Sequence, residues 1–506
     1  MRFASIPTAT RPARESSTSC LQRSGTCTAG SLPGLPIRVT LLGPHMRGKV
    51  CSRRGPYFRA MRLLSLVSLL LLAAACVPLG TPITSTVPTA PVTQRPPEYY
   101  ADKVLRYQDY IYSPDVRSVQ CYVATGQPNE VFSPPVVPLG QSSAITLDFD
   151  VLGDQGQRFT AKLIHCDVDW QPSVLTDMQF LDEINEFTVT DYRIGTGTKA
   201  PYFHYRLRAP QVKLSGNYLC VVQTAAGVPL LSRRLLVYEN RVNVSLRPGI
   251  VIGGNERFTL QQLDFAVSYG SVDLVNPAVE IKTVLRQNFR WDNARYGLRP
   301  TFVRDAERRL EYQYFNFENA FPGLSEYRYF DTRSLLSVGI GVLHVDPRAL
   351  PVTTVLLQPE VSRNGTAYNQ YVDANGRRVF ESREYGNGAT NGDYADVTFQ
   401  LQAAQPAPGP VYVFGALTDW QLKDEFRLTY DGASQRYTGH ALLKQGYYNY
   451  DFAVAGARGT IPDETYFEGT HYETENQYDL LVYYRPPGTR ADLLIGYQAV
   501  DMNSRQ

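Results

Sequence analysis

Along most of the chain, apolar and polar residues alternate over short runs, and turn-forming residues separate the runs. The segments AITLDFDVLG, FHYRLRAP and NYLCVVQT follow this pattern, which is typical of half-buried β-strands. No long segment shows the period of an amphipathic helix. Tyrosine, which favours strands, occurs 34 times. The pattern therefore predicts an all-β fold of tandem β-sandwiches, of the immunoglobulin-like or early-set type.

Composition divides the chain into a leader, a tether and three predicted domains. Residues 1–60 are rich in Arg, Ser, Pro and Gly without apolar periodicity, so we expect them to be an extension of the gene model. Residues 77–97 are dominated by Pro and Thr, which predicts an extended tether. Turn positions then predict a first β-sandwich at 98–239, a second at 240–394 and a C-terminal early-set-like sandwich at 395–500.

Residues 61–76 are predicted to be a secretory signal peptide. A basic residue, Arg62, precedes an apolar run and three alanines that end at Cys76. The run is too short to span a membrane as a helix, and Met61 or Met46 is the expected start. Because LAAAC resembles a bacterial lipobox, we expect lipidation of Cys76 and a membrane anchor. The alternative is an ordinary cleavage site just before this cysteine.

Charge and cysteine content exclude two classes of protein. The whole chain has a formal charge of +2, but residues 77–506 carry 39 basic and 47 acidic residues, a net charge of −8. An acidic mature chain is a poor nucleic-acid binder. Only Cys121, Cys166 and Cys220 lie in the predicted domains, so the protein is not a disulfide scaffold. Whether two of these cysteines pair is left open.

The segment LIHCDVDWQPS combines residue types found in metal and nucleophile sites. If the strand continues through it, alternation gives an outward polar face and a core face. The outward set is Leu163, His165, Asp167 and Asp169, and the core set is Ile164, Cys166, Val168 and Trp170. This arrangement separates the imidazole from the thiol. A metal site on the polar face would need further ligands that the sequence does not single out.

The chain lacks the sequence motifs of common catalytic sites. There is no G-x-S-x-G, H-E-x-x-H, P-loop or dinucleotide-binding fingerprint. Five histidines outside residues 1–60 are scattered over the predicted domains. We therefore expect no enzymatic activity, no cofactor, no bound metal and no small-molecule substrate. A pair of carboxylates of the glycosidase kind leaves no motif and stays open.

Two aromatic segments are candidate binding surfaces. RQNFRWDNARYGLRPTFVRD contains five arginines and a tryptophan, which predicts a partner-binding surface that includes Arg290 and Trp291; the alternative is pairing with nearby carboxylates. VYVFGALTDWQ resembles starch- and glycogen-binding modules, in which Trp420 would stack on a sugar. The second tryptophan of such modules is missing here. Trp420 is therefore predicted either to bind a partner or carbohydrate, or to pack at a turn.

Several blocks together resemble the plug protein of the bacterial type IX secretion system. They follow the family's order from Tyr99 to Tyr497 and are LIHCDVDWQPS, FHYRL, RWDNA, FVRD, NAFPG with EYRYFD, VYVFGALTDWQ, KQGYYNYDF and EGTHYETENQYDLLVYYRPPG. The resemblance implies a periplasmic, all-β, non-enzymatic protein. It also implies a partner, the outer-membrane translocon barrel, whose pore a plug closes when cargo is absent. With a lipid anchor, the protein would lie at the periplasmic face of the outer membrane.

Overall fold

The computed structural model describes residues 104–456 and 462–504. The predicted extension, signal peptide with Cys76 and tether lie outside the described residues. The all-β prediction is confirmed, because the described chain consists mainly of strands. Among the described residues, no helix is longer than four residues.

The strands fall into three consecutive groups. The first group is β1 (Tyr110–Ile111), β2 (Val116–Val123), β3 (Val136–Pro138), β4 (Ile145–Leu152), β5 (Phe159–Cys166), β6 (Phe187–Thr188), β7 (Asp191–Ile194), β8 (Tyr202–Arg208), β9 (Gly216–Thr224) and β10 (Pro229–Tyr238). The second is β11 (Asn243–Pro248), β12 (Leu260–Ser268), β13 (Lys282–Gln287), β14 (Arg295–Tyr296), β15 (Phe302–Arg304), β16 (Arg309–Tyr312) and β17 (Ala320–Pro322). The third is β18 (Arg328–Asp331), β19 (Val342–Asp346), β20 (Thr353–Leu357), β21 (Glu360–Val361), β22 (Arg378–Phe380), β23 (Tyr394–Gln402), β24 (Val411–Phe414), β25 (Arg427–Asp431), β26 (Arg436–Lys444), β27 (Gly446–Ala455), β28 (Pro462–Asp463), β29 (Asn476–Tyr484) and β30 (Leu493–Met502).

Short helical turns connect some of these strands. The α-helical turns are α1 (Asp177–Phe180), α2 (Glu256–Thr259), α3 (Pro277–Glu280), α4 (Gly388–Asn391) and α5 (Thr465–Glu468). The 3₁₀ turns are Glu130–Phe132, Ser142–Ala144, Asp305–Glu307, Ala416–Thr418 and Asp424–Phe426.

The first sandwich packs two sheets face to face. One sheet has the order β1–β10–β9–β5–β6, with β3 parallel to β10, and the other has the order β2–β4–β8–β7. Their inner faces share one apolar core. At its centre the rings of Phe149 and Tyr205 stack with centroids 5.1 Å apart. All ten strands lie between residues 110 and 238.

The second sandwich is completed by the C-terminal hairpin. One of its sheets is β11–β12–β16–β15, with β17 on β12, and the other is β14–β13–β29–β30. Residues 282–287 of β13 pair antiparallel with residues 478–483 of β29. This pairing differs from the expected contiguous division into 240–394 and 395–500. Turn positions mark where strands end but do not specify which distant strand pairs with which.

The third sandwich is inserted within the second. It is a single sheet of eleven strands with the main order β18–β27–β24–β25–β26–β23–β20–β19. The sheet curls so that Phe330 of β18 contacts Phe399 of β23, with ring centroids 5.7 Å apart. The turn at Asp431-Gly432 joins β25 and β26, which pair antiparallel on either side of it.

A further apolar core lies between the first and second sandwiches. On β9, Leu219 and Val221 point away from the first sandwich and are fully buried. On β29, Leu481 and Tyr483 do the same from the second sandwich, and the Tyr483 hydroxyl donates to Oδ1 of Asn217 at 2.7 Å. Antiparallel sheets commonly leave one face to solvent. Here four sheets stack in layers, and the two middle sheets are covered on both faces.

We expect Leu480→Ala and Leu481→Ala to destabilise the protein equally, by about 2–5 kcal/mol each, as buried leucines do when truncated. The two residues are neighbours on β29, fully buried on opposite faces. Urea unfolding followed by circular dichroism measures the loss. Leu336→Ala, at a leucine that is 70% exposed, is the control. A loss confined to Leu480→Ala would show that the outer face of β29 is not a core.

Candidate functional site

The strand β5 ends in the middle of LIHCDVDWQPS. After Cys166 the chain forms a tight turn, in which the amide of Trp170 donates to the carbonyl of Asp167 at 2.9 Å. Trp170 has a left-handed backbone with φ of 63°. The predicted continuation of the strand to Trp170 is therefore wrong, because four residues of the segment form a turn rather than a ladder.

The predicted outward position of His165 is also wrong. Its side chain is 2% exposed and lies inside the first sandwich, perpendicular to the ring of Tyr218 with centroids 5.1 Å apart. Its Nδ1 hydrogen-bonds with Oγ of Ser173 at 2.9 Å. Burial lowers the pKa of His165 to about 4. Strand alternation correctly placed His165 and Cys166 on opposite faces of β5, but both of these faces are buried.

The carboxylates of the segment turn away from His165. Asp167 pairs with Arg485 at 2.8 Å and accepts the amide of Asp492 at 2.9 Å. Asp169 accepts the amide of Gln171 at 3.2 Å. The three side chains therefore do not converge on a common point. Within the described ranges, no group of three or more His, Cys, Asp or Glu side chains is arranged to hold a metal ion.

The predicted core positions of Cys166 and Trp170 are observed, but their core is the one between the sandwiches. Cys166 is fully buried there, whereas Cys220 faces the interior of the first sandwich. Cys121, Cys166 and Cys220 are free thiols. Burial raises the pKa of Cys166 and Cys220 to about 12, so neither is an activated nucleophile.

A cavity of about 420 Å³ lies where the three sandwiches meet, and we call it the junction cavity. Its lining includes all three predicted partner-binding residues, Arg290, Trp291 and Trp420. Six arginines and three aspartates contribute to the lining: Arg233, Arg234, Arg286, Arg290, Arg377, Arg378, Asp109, Asp292 and Asp419. The three residues therefore lie together between domains rather than on an outer surface, and their binding of a partner stays a prediction.

Arg290 joins the second and third sandwiches from a buried position. Its side chain is 1% exposed, and its guanidinium donates to both oxygens of Glu464 at 2.7 and 2.9 Å and of Asp292 at 2.6 and 3.1 Å. Burial disfavours its charge, but Asp292 and Glu464 outweigh this effect and raise the pKa of Arg290. The alternative prediction of pairing with nearby carboxylates fits this residue.

Trp291 lies between cationic and aromatic neighbours. The guanidinium of Arg286 lies 4.1 Å from the Trp291 ring centroid and is held by Asp479 at 2.5 and 3.0 Å. Trp170 meets Trp291 edge to face at 5.0 Å, and Arg234 lies 4.5 Å above the Trp170 ring. Arginine–tryptophan stacking of this kind holds the interface rigidly.

Trp420 packs at a turn, which was one of the two alternatives predicted for it. The Arg290 guanidinium lies 4.1 Å from the Trp420 ring centroid, and Phe414 and Tyr327 contact the ring edge to face at 70° and 69°. A side chain at Gly376, which has φ of 78°, would collide with the same ring. Trp420 lines the junction cavity with one face covered by Arg290, whereas sugar stacking as in the starch-binding modules needs a face on an open surface.

The first and third sandwiches meet at the other side of the junction cavity. Arg233 pairs with Asp419 at 3.1 Å, and Lys423 pairs with the same carboxylate at 2.7 Å. Gln421 donates to the carbonyl of Asp109 at 2.6 Å. The sequence analysis did not identify these residues. The available indication was Arg233-Arg234, a charged doublet that interrupts the apolar strand PLLSRRLLVY.

The fold and the junction define a multi-domain, all-β protein whose sandwiches are joined by buried ion pairs. Residues 116–239 match the family model of the first domain of the type 9 secretion system plug protein. This match confirms the resemblance to the plug proteins and associates the chain with that secretion system.

One solved structure covers most of the described chain. It is the crystal structure of a hypothetical protein from Parabacteroides merdae ATCC 43184, which is 29% identical with a TM-score of 0.73. The alignment covers 79% of this chain and 100% of that chain. No match was found among the curated proteins. In the part of the chain that the structure describes, no helix is long and apolar enough to cross a membrane.

Acidification should destabilise the protein partly through His165. The unfolded state binds a proton near pH 6.5, whereas the folded state resists it until about pH 4, so stability falls as pH drops through this window. Between pH 7 and pH 5, the fall in the free energy of unfolding should be about 2 kcal/mol smaller in His165→Gln than in the original protein. Urea unfolding at several pH values measures it. His440→Gln, at an exposed histidine, should leave the loss unchanged; equal slopes for His165→Gln and the original protein would contradict the assignment.

Arg290→Met should destabilise the protein by about 3–5 kcal/mol, because it leaves the buried Glu464 carboxylate without its partner. Arg299→Met is the matched control at an exposed arginine and should change stability by less than about 0.5 kcal/mol. Thermal and urea unfolding measure both variants. A loss below about 1 kcal/mol for Arg290→Met would mean that Arg290 does not join the sandwiches.

Proposed function

We propose that this protein is the periplasmic plug that binds and seals the cargo-free outer-membrane translocon barrel of the type IX secretion system. The match of residues 116–239 to the plug-protein first domain carries the proposal. The ordered blocks beyond this domain, as far as Tyr497, extend the resemblance over the rest of the described chain.

The construction of the protein supports a sealing role. A plug has to present a wide body that does not deform when it meets a pore. The layered core between the first and second sandwiches and the buried pairs Arg290–Glu464 and Arg233–Asp419 oppose movement between domains. Breaking such a pair leaves a buried charge without its partner, which is strongly destabilising. We propose that the protein acts by binding alone, without enzymatic activity.

We further propose that residues 61–76 direct the chain to the periplasm and that lipidated Cys76 anchors it to the outer membrane. The Pro- and Thr-rich segment that follows Cys76 would then connect the anchor to the sandwiches. An anchor of this kind keeps the plug at high local concentration near the barrel and favours re-binding after each transport event.

Two measurements test this function. Tagged protein isolated from cells depleted of cargo should co-purify with the translocon barrel. The purified barrel in a planar lipid bilayer should conduct ions, and the protein should block this current when added to the periplasmic side. Failure to recover the barrel from cargo-depleted cells would contradict the proposal.

The same variants provide the controls. Arg290→Met loosens the joint between sandwiches and should block the current less completely than the original protein, whereas Arg299→Met should block it fully. Cys76→Ala should leave the block intact and move the protein from the outer-membrane fraction to the soluble periplasmic fraction. An unchanged distribution after Cys76→Ala would argue against the anchor alone.

A further inference from the structure

Two arginines of the junction cavity, Arg234 and Arg377, are held by carbonyl and amide oxygens. Arg234 donates from Nε and Nη2 to the carbonyl of Tyr107 at 3.1 and 2.5 Å. Arg377 donates to the carbonyl of Phe132 and to Oε1 of Gln477, the latter at 3.0 Å. Among residues 104–456 and 462–504, no carboxylate forms an ion pair with either guanidinium.

Three other arginines of the lining pair with carboxylates. Arg233 pairs with Asp419, Arg286 with Asp479, and Arg290 with Asp292 and Glu464. Arg378 donates to the carbonyls of Ala416 and Val119 and helps to lower the pKa of Asp419. The lining carries six arginines and three aspartates, and Arg234 and Arg377 contribute to this positive surplus.

Asp109, which also lines the cavity, offsets part of this surplus. Its Oδ1 accepts the backbone amide of Arg234 at 2.7 Å, and its charge raises the pKa of Arg234 against the effect of burial. Burial raises the pKa of the Asp109 carboxyl, while Arg233 and Arg234 lower it. One carboxylate beside two arginines leaves a net positive charge.

Arg234 and Arg377 are half-buried, and removing part of a cation from water without a paired counter-ion costs free energy. Burial lowers the pKa of Arg234 and lowers that of Arg377 to about 10, so both guanidinium groups are poorly solvated. An anion in the cavity would remove this cost. Guanidinium groups bind carboxylates and phosphates through paired hydrogen bonds.

The cavity is suited to a small organic molecule. Its volume of about 420 Å³ is typical of ligand sites. Aromatic side chains line much of it, among them Phe289, Trp291 and Trp420. Tyr296, another lining residue, is 44% exposed, so the cavity meets solvent at this edge and a ligand can enter without unfolding.

We propose that the junction cavity binds a small anion whose carboxylate or phosphate group neutralises Arg234 and Arg377 while the aromatic walls cover its apolar part. The site is assigned from the cavity and its unmatched charges. This site does not depend on the plug function. The test therefore uses the full chain in solution, without the barrel.

Tryptophan fluorescence offers a direct measurement. The chain has three tryptophans: Trp291 and Trp420 line the cavity, and Trp170 contacts Trp291. Titration at constant ionic strength should give a saturable change with cyclohexanecarboxylate, with inorganic phosphate or with both, and none with cyclohexanol. The first two probes distinguish a carboxylate site from a phosphate site, and the third controls for apolar binding alone.

Arg234→Met and Arg377→Met should each weaken anion binding at least about tenfold, the effect of removing a charge-assisted pair. Both variants also lose hydrogen bonds to carbonyl oxygens, and Arg234→Met loses the stacking on Trp170, so the unfolding temperature of each variant is measured beside its affinity. Arg299→Met, at an exposed arginine, should bind with unchanged affinity.

Two results would overturn the proposal. The first is the absence of a saturable response to both anions, which would mean that the cavity holds only solvent. The second is an equal loss of affinity in Arg299→Met and the two cavity variants, which would mean non-specific charge screening. If either methionine variant fails to fold, a rise in the unfolding temperature of the original protein with anion but not with cyclohexanol decides the question.

Discussion

The contact between the outer faces of β9 and β29 is the constraint on which the rest of the structure depends. It buries Leu219, Val221 and Leu481 between two sheets that each already cover a core of their own. Both faces of these strands are apolar. If the two sandwiches separated, each would therefore expose an apolar sheet face to water. The two therefore form one unit, and the chain segment that ends β5 turns at Trp170 because that side chain fills the same core.

Ion pairs at the junction fix the relative orientation of the sandwiches, which the apolar contact alone does not fix. Hydrophobic burial holds sheets together without fixing their angle, whereas a planar guanidinium binds two carboxylates in one geometry only. Arg290 does this between the second and third sandwiches, and Arg233 pairs with the single carboxylate of Asp419 between the first and third. The inserted third sandwich is thus fixed by several charged contacts, among them a buried pair between Lys444 and Asp150 of the first sandwich at 2.6 Å. The junction cavity lies beside the Arg290 and Arg233 contacts.

The sequence predicted properties that are local and missed those that depend on distant partners. Alternation located the strands and separated Cys166 from His165, because side-chain direction in a strand is a property of the backbone. It did not show that both faces of β5 are covered, since the covering sheet comes from residues 476–502. Composition singled out Arg290, Trp291 and Trp420 as candidate partner-binding residues, yet it could not distinguish an interface within the chain from one with a partner, because both use the same side chains.

The charge surplus in the junction cavity connects domain arrangement to ligand binding. Its walls come from all three sandwiches, with Arg234 on the first, Trp291 on the second and Arg377 on the third. A ligand that contacts all of them binds only the arrangement in which the walls are together, and by linkage it stabilises that arrangement by its own binding free energy. Rigidity at this joint is therefore a property that an anion can strengthen.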